Sequence, residues 1–84
     1  MPRASGDAAG RVAEDATGRV LTVATGFVRV RVRRRTVRAS YGGALLASIA
    51  QDADHAPRVG DRVQVRTWAD GRSTVERIVA RAVP

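Results

Sequence analysis

The run Phe27-Val28-Arg29-Val30-Arg31-Val32-Arg33-Arg34-Arg35 alternates valine with arginine at a period of two. In a strand, successive side chains leave opposite faces, so Val28, Val30 and Val32 line one side and Arg29, Arg31 and Arg33 the other. A helix would scatter the arginines around its circumference and leave no continuous apolar stripe. Three β-branched residues reinforce the preference for a strand. One face is suited to a core, and the other is a row of guanidinium groups directed outward.

The charge of the whole chain concentrates in the same place. The formal net charge is +7, and every basic residue other than the single histidine is arginine. Residues 19–38 hold Arg19, Arg29, Arg31, Arg33, Arg34, Arg35 and Arg38 with no acid, whereas acids and arginines are nearly balanced on either side. A positive excess confined to one hairpin-sized segment is the expected footprint of a polyanion-binding surface. With 84 residues, 44% hydrophobic and few aromatic, the chain suffices for one small domain with a valine-rich core. Such a domain buries about 60% of its unfolded surface, so its expected stability is modest. The absence of cysteine rules out disulfides and thiolate zinc sites, in keeping with a reducing compartment. No apolar run approaches the roughly 20 residues of a membrane span, and the first residues lack a signal-peptide core. The expected setting is the cytoplasm, without a membrane.

In chain order, residues 1–16 are rich in Ala, Gly and Asp, show little periodicity and read as a flexible tail with a helical turn at Arg11–Asp15. Residues 17–84 read as the folded domain. Its first strand is Thr17–Ala24, with both faces partly apolar, and Thr25-Gly26 turns the chain into the arginine-alternating strand. A link at Arg33–Arg35 leads to a third strand, Thr36–Tyr41. That strand has Val37, Ala39 and Tyr41 on one face and Thr36, Arg38 and Ser40 on the other. Gly42-Gly43 ends it. Ala44–Ala50 reads as a short helix with Leu45, Leu46 and Ile49 on one face. After a polar loop and a turn at Pro57–Asp61, Arg62–Trp68 is the fourth strand. A hairpin turn at Ala69–Arg72 leads to Ser73–Ala80, where the Val75–Ile78 spacing predicts a bulge. The fold class expected is all-β: a five-stranded OB-fold barrel with a helical plug between the third and fourth strands.

Gly18-Arg19-Val20, Val59-Gly60-Asp61-Arg62-Val63, and Asp70-Gly71-Arg72 followed by Val75 to Arg81 carry a resemblance. Over residues 17–81 the chain resembles the N-terminal OB domain of the circularly permuted ribosome-assembly GTPases, the RsgA family. The resemblance implies contact with RNA of the small ribosomal subunit. It does not extend to GTP hydrolysis, because the phosphate-binding motif requires a lysine and the chain has none. The family's zinc domain needs cysteines, which are also absent.

The expected function is therefore binding, not catalysis, with no cofactor and no metal. The candidate RNA-binding residues are Arg29, Arg31, Arg33, Arg34, Arg35 and Arg38, joined by Phe27 on the same strand face and by Arg66 and Trp68 near the last hairpin. Arginines would neutralise phosphates and the aromatics would stack on unpaired bases. The alternative is a protein-interaction module whose basic face docks on an acidic partner. An enzyme is not expected. His55 is the only histidine, and Asp61 and Asp70, each beside a glycine, read as turn formers.

Overall fold

The computed structural model describes residues 12–83. Five strands hydrogen-bond in a closed ring in the order β1-β2-β3-β5-β4. They are β1 (Val12–Ala24), β2 (Phe27–Val32), β3 (Arg35–Tyr41), β4 (Arg62–Trp68) and β5 (Ser73–Ala80). One helix, α1 (Gly43–Gln51), and a 3-10 turn at Ala53–His55 lie between β3 and β4. The β1–β2, β2–β3, β1–β4 and β4–β5 junctions are antiparallel. The β3–β5 junction is parallel and consists of Ser40↔Thr74 and Tyr41↔Val75.

The alternation read from the sequence sets the core. Val20, Val28, Val30, Ala39, Val63, Val65 and Val75 point into the ring and are buried, with Leu45 of α1 closing one side. Burying one such valine contributes about 1.5–2 kcal/mol. Val32, Val37, Tyr41, Ile49 and Ile78 pack around this set, and burial pushes the Tyr41 hydroxyl pKa upward. Gly18 sits where β1 passes close over β2: a Cβ there would lie 2.5 Å from Val30 and 2.8 Å from the Arg31 carbonyl.

A second anchor is polar. The Asp61 side chain is only 1% exposed. It accepts hydrogen bonds from the backbone N–H of Arg58 (2.9 Å) and of Ala82 (2.7 Å), and from Arg81 Nη1 (2.7 Å). Burial works to raise its pKa, but the two amides and the guanidinium outweigh that and hold it below the usual carboxylate range. Arg81 also donates to the carbonyls of Ala56 and Asp54. The turn before β4 and the segment after β5 are thereby fixed to one buried carboxylate.

Bounds for β4 and β5 agree with the sequence reading, and a register shift between Gln64 and Val65 opposite Val75–Arg77 is the bulge expected there. Three expectations need correction. The first strand begins at Val12, not Thr17, so the described part of the expected helical turn and tail is strand; residues 1–11 lie outside the described residues. What holds this extension is the β4 ladder, with Glu14 opposite Thr67 and Asp15 opposite Arg66. The link between β2 and β3 is only Arg33-Arg34, and Arg35 already opens β3 opposite Val32. In α1 the inward line is Leu45 and Ile49, four residues apart, while Leu46 is 52% exposed. Leu46 lies about 100° around the helix from Leu45, which carries it to the solvent side of that line. No helix among the described residues is long and apolar enough to cross a membrane.

Candidate nucleic-acid interface

With Val28 and Val30 fixed inside, the residues between them must face outward, and the ladder registers place their neighbours. One outward row runs Arg62 (β4), Arg19 (β1), Arg31 (β2), Thr36 (β3). The next runs Thr22 (β1), Arg29 (β2), Arg38 (β3), and the third Ala24, Phe27, Ser40. Adjacent strands lie about 4.8 Å apart, so Arg19, Arg29, Arg31, Arg38 and Arg62 share one patch on the outside of β4–β1–β2–β3. All five are exposed. Arg19 and Arg62 escape a strand-by-strand reading, because what brings them to Arg31 is cross-strand register. Their parity against Val20 and Val63 was the available signal.

Among the described residues, no acid compensates this patch. Each acid among the described residues has a basic partner: Glu14 with Arg33, Asp15 and Glu76 with Arg66, Asp52 with His55, Asp54 with Arg58, Asp61 with Arg81 and Asp70 with Arg72. None of these acids reaches Arg19, Arg29, Arg31 or Arg38. Like charges directly opposite on a sheet repel, and Arg29 stands opposite Arg38.

Phe27 is half-buried at the edge of the patch. The Arg38 guanidinium lies 4.0 Å from its ring centroid and that of Arg29 6.0 Å, so the arginines are partly held by cation–π contact. A guanidinium seated on an aromatic ring is a flat, charged surface on which an unpaired base can stack.

Other expected site residues lie elsewhere. Arg33 does not continue the outward row. It sits at the hairpin tip with φ 57°, and its Nη1 is 3.4 Å from Glu14 Oε2. The turn takes it out of the strand's alternation. Arg34 occupies the same tip, and Arg35, opposite the inward-facing Val32, lines an opening at that end of the ring. Arg66 is already engaged: its Nε donates to Asp15 Oδ1 at 2.9 Å, and Nη1 lies 3.6 Å from Glu76. The hydrogen bond from Arg66 lowers the Asp15 pKa and, reciprocally, raises that of Arg66.

Trp68 is half-buried and donates through Nε1 to Thr74 Oγ1 at 2.9 Å; Thr74 in turn donates to Glu76 at 2.5 Å. Arg66 and Arg72 flank its ring at 5.8 and 5.9 Å. Thr74 is paired with Ser40, and Ser40 with Phe27. Trp68 on β4 is thus linked to Phe27 on β2 through β5 and β3, three strand steps around the ring.

His55 belongs to the loop packing: its Nδ1 lies 2.7 Å from Ser48 Oγ. Asp70 accepts from the Arg72 backbone N–H at 3.0 Å, as a turn former should. No cluster of three or more His, Asp or Glu side chains among the described residues is arranged to hold a metal ion. No protein-family model matches the chain, and no curated protein and no solved structure is significantly similar to it.

Proposed function

We propose that this chain is a small OB-fold RNA-binding protein that engages phosphates through the arginine patch on β1, β2 and β3. The observation that carries the reading is the segregation of charge: among the described residues the acids are paired away from the patch, and Arg19, Arg29, Arg31 and Arg38 stand together without one. The strand order β1-β2-β3-β5-β4 with a helix between β3 and β4 is the order of an OB fold, in which the β2–β3 surface is the customary ligand face. Association with ribosomal RNA of the small subunit, in the cytoplasm, rests on the resemblance to the RsgA-family domain. The role is binding, not catalysis.

The mechanism is counterion release. Four to six arginines engaging one strand, each phosphate releasing about 0.7 counterion, give a logarithmic salt dependence of affinity with slope roughly −3 to −4. The test is fluorescence anisotropy with a labelled single-stranded RNA, comparing the parent with the combined variant Arg29→Glu, Arg31→Glu, Arg38→Glu. Circular dichroism checks that the variant is folded, which the outward direction of the three side chains favours. Binding is expected to vanish. A folded variant that binds RNA as tightly as the parent sinks the proposal. Retained binding to an acidic protein, with no RNA binding by the parent, establishes the interaction-module alternative instead.

A further inference from the structure

The ring is not uniformly closed. β3 and β5 pair only through Ser40↔Thr74 and Tyr41↔Val75. Ahead of those pairs, the first half of β3 and the β4–β5 hairpin diverge. Between them lies a cleft of about 400 Å³, in the size range of small-ligand sites. Its chemistry is divided. Val32 and Val37 supply an apolar surface over the buried Val65, Arg33, Arg35 and Arg38 supply cationic groups, and Thr36, Thr67 and Ser73 supply hydroxyls. Glu14, also at the cleft, holds a carboxylate 3.4 Å from Arg33.

Two features set Arg33 apart. Its φ of 57° is a left-handed conformation that glycine or asparagine adopts with far less strain. A two-residue hairpin tip therefore gains nothing locally from an arginine at that position. Its resting partner is moreover an exposed carboxylate, an anion that a stronger anionic ligand can displace. Arg38 touches both surfaces: it lines the cleft and lies over Phe27 on the outer face.

We infer that this cleft is a binding site for one nucleotide of a single strand, with the phosphate on Arg33 and Arg35 and the base against Val32 and Val37, above the buried Val65. The inference rests on the RNA-binding reading above and names a distinct subsite for it. A nucleotide has the required division into a flat apolar face and an anion, and the arginine rim complements the latter. A base inside a duplex cannot enter, so the cleft selects unpaired nucleotides. Arg38 makes the site continuous with the outer patch, and a strand crossing that patch reaches the cleft without leaving the protein.

The test uses the full chain with 13C-labelled valine methyls and the probe uridine monophosphate, alongside uridine and inorganic phosphate separately. The nucleotide is expected to shift the Val32, Val37 and Val65 methyls saturably, and to do so at lower concentration than either fragment. Arg33→Gly, which suits the backbone at that position, is expected to weaken the nucleotide about tenfold, as for loss of one charge-assisted hydrogen bond. The same variant should weaken single-stranded RNA and leave duplex RNA unchanged. Unmoved cleft methyls at about ten millimolar nucleotide overturn the inference, as does an equal response to a tetraglutamate peptide. If Arg29→Glu with Arg31→Glu abolishes RNA binding while the cleft stays silent, the cleft inference fails alone. If that double variant binds RNA normally, the reading of the outer face fails, and the subsite inference built on it is overturned as well.

Discussion

Arg29 on β2 and Arg38 on β3 face each other directly across the ladder, with the Phe27 ring 6.0 and 4.0 Å from their guanidinium carbons. The cation–π contacts offset part of the repulsion, but neither arginine has a carboxylate partner among the described residues. Such a pair opposes the stability of the free protein.

Arg29→Thr should therefore stabilise the free protein. Relief of an opposed like-charge pair is worth up to about 1 kcal/mol on a sheet, and about half of that shifts a melting curve by roughly 2–4 °C for a domain this size. The gain should be largest at low salt and should shrink near 1 M, where screening shortens to about 3 Å. Thermal melts by circular dichroism at two salt concentrations measure it. A lower melting temperature at low salt would mean that packing on Phe27 outweighs the repulsion.

Asp61 governs the acid limb of stability. Its folded-state pKa is depressed because the Ala82 and Arg58 amides and Arg81 outweigh burial. A depressed carboxylate stabilises the fold fully above its unfolded value near 4 and loses that contribution as the pH falls through the folded value. Asp61→Ala, which leaves two amides and a guanidinium without their acceptor, should cost about 3 kcal/mol at neutral pH. Asp61→Asn keeps the shape but not the charge, so parent and variant stabilities should converge as the pH drops below about 4. Parallel urea titrations across pH check this. A constant gap would place the acid sensitivity elsewhere.

Most of the inward-facing residues were legible because their information is local. Val28 and Val30 are flanked by arginines, Val63 and Val65 by polar residues, and a period of two can be read without knowing the neighbouring strand. The strand at Val12–Ala16 was hidden. Glu14 and Asp15 look like solvated tail residues until Arg66 and Arg33 are placed beside them by the fold. The turn inside Arg33-Arg34-Arg35 was hidden for a different reason: three identical side chains do not mark where the chain reverses. Pairing of Arg66 with Asp15 is likewise a contact across 51 positions of sequence, invisible to any pattern confined to one strand.

Gly18 should tolerate no side chain. A methyl group there would meet Val30 at 2.5 Å and the Arg31 carbonyl at 2.8 Å, and a backbone carbonyl inside a ladder cannot swing aside. Gly18→Ala should destabilise by about 1–3 kcal/mol, the usual cost of overpacking. Urea denaturation measures it, and an unchanged midpoint would mean that β1 and β2 separate more easily than their pairing suggests.

Arg33→Gly should have the opposite sign. Removing a left-handed arginine relieves roughly 1–2 kcal/mol of steric cost, offset in part by the greater backbone freedom that glycine loses on folding. The exposed ion pair to Glu14 contributes little. A net gain of about 0.5–1 kcal/mol is expected. A loss in the same denaturation assay would show that the hairpin tip is held mainly by Glu14.

The two places where the β1–β2–β3 meander meets the β4–β5 hairpin are unequal. On one side β1 runs along β4 from Val12↔Trp68 to Arg19↔Arg62, whereas on the other β3 is joined to β5 by two residue pairs. The ring thus has a hinge and a latch. Parting the latch breaks only a short stretch of parallel ladder and leaves the long antiparallel seam closed. The least expensive large motion of this molecule is therefore an opening of the circle into a curled sheet that keeps its β1–β4 spine. Amide exchange would register that motion as early loss of protection across the Ser40–Tyr41 and Thr74–Val75 junction, ahead of β1.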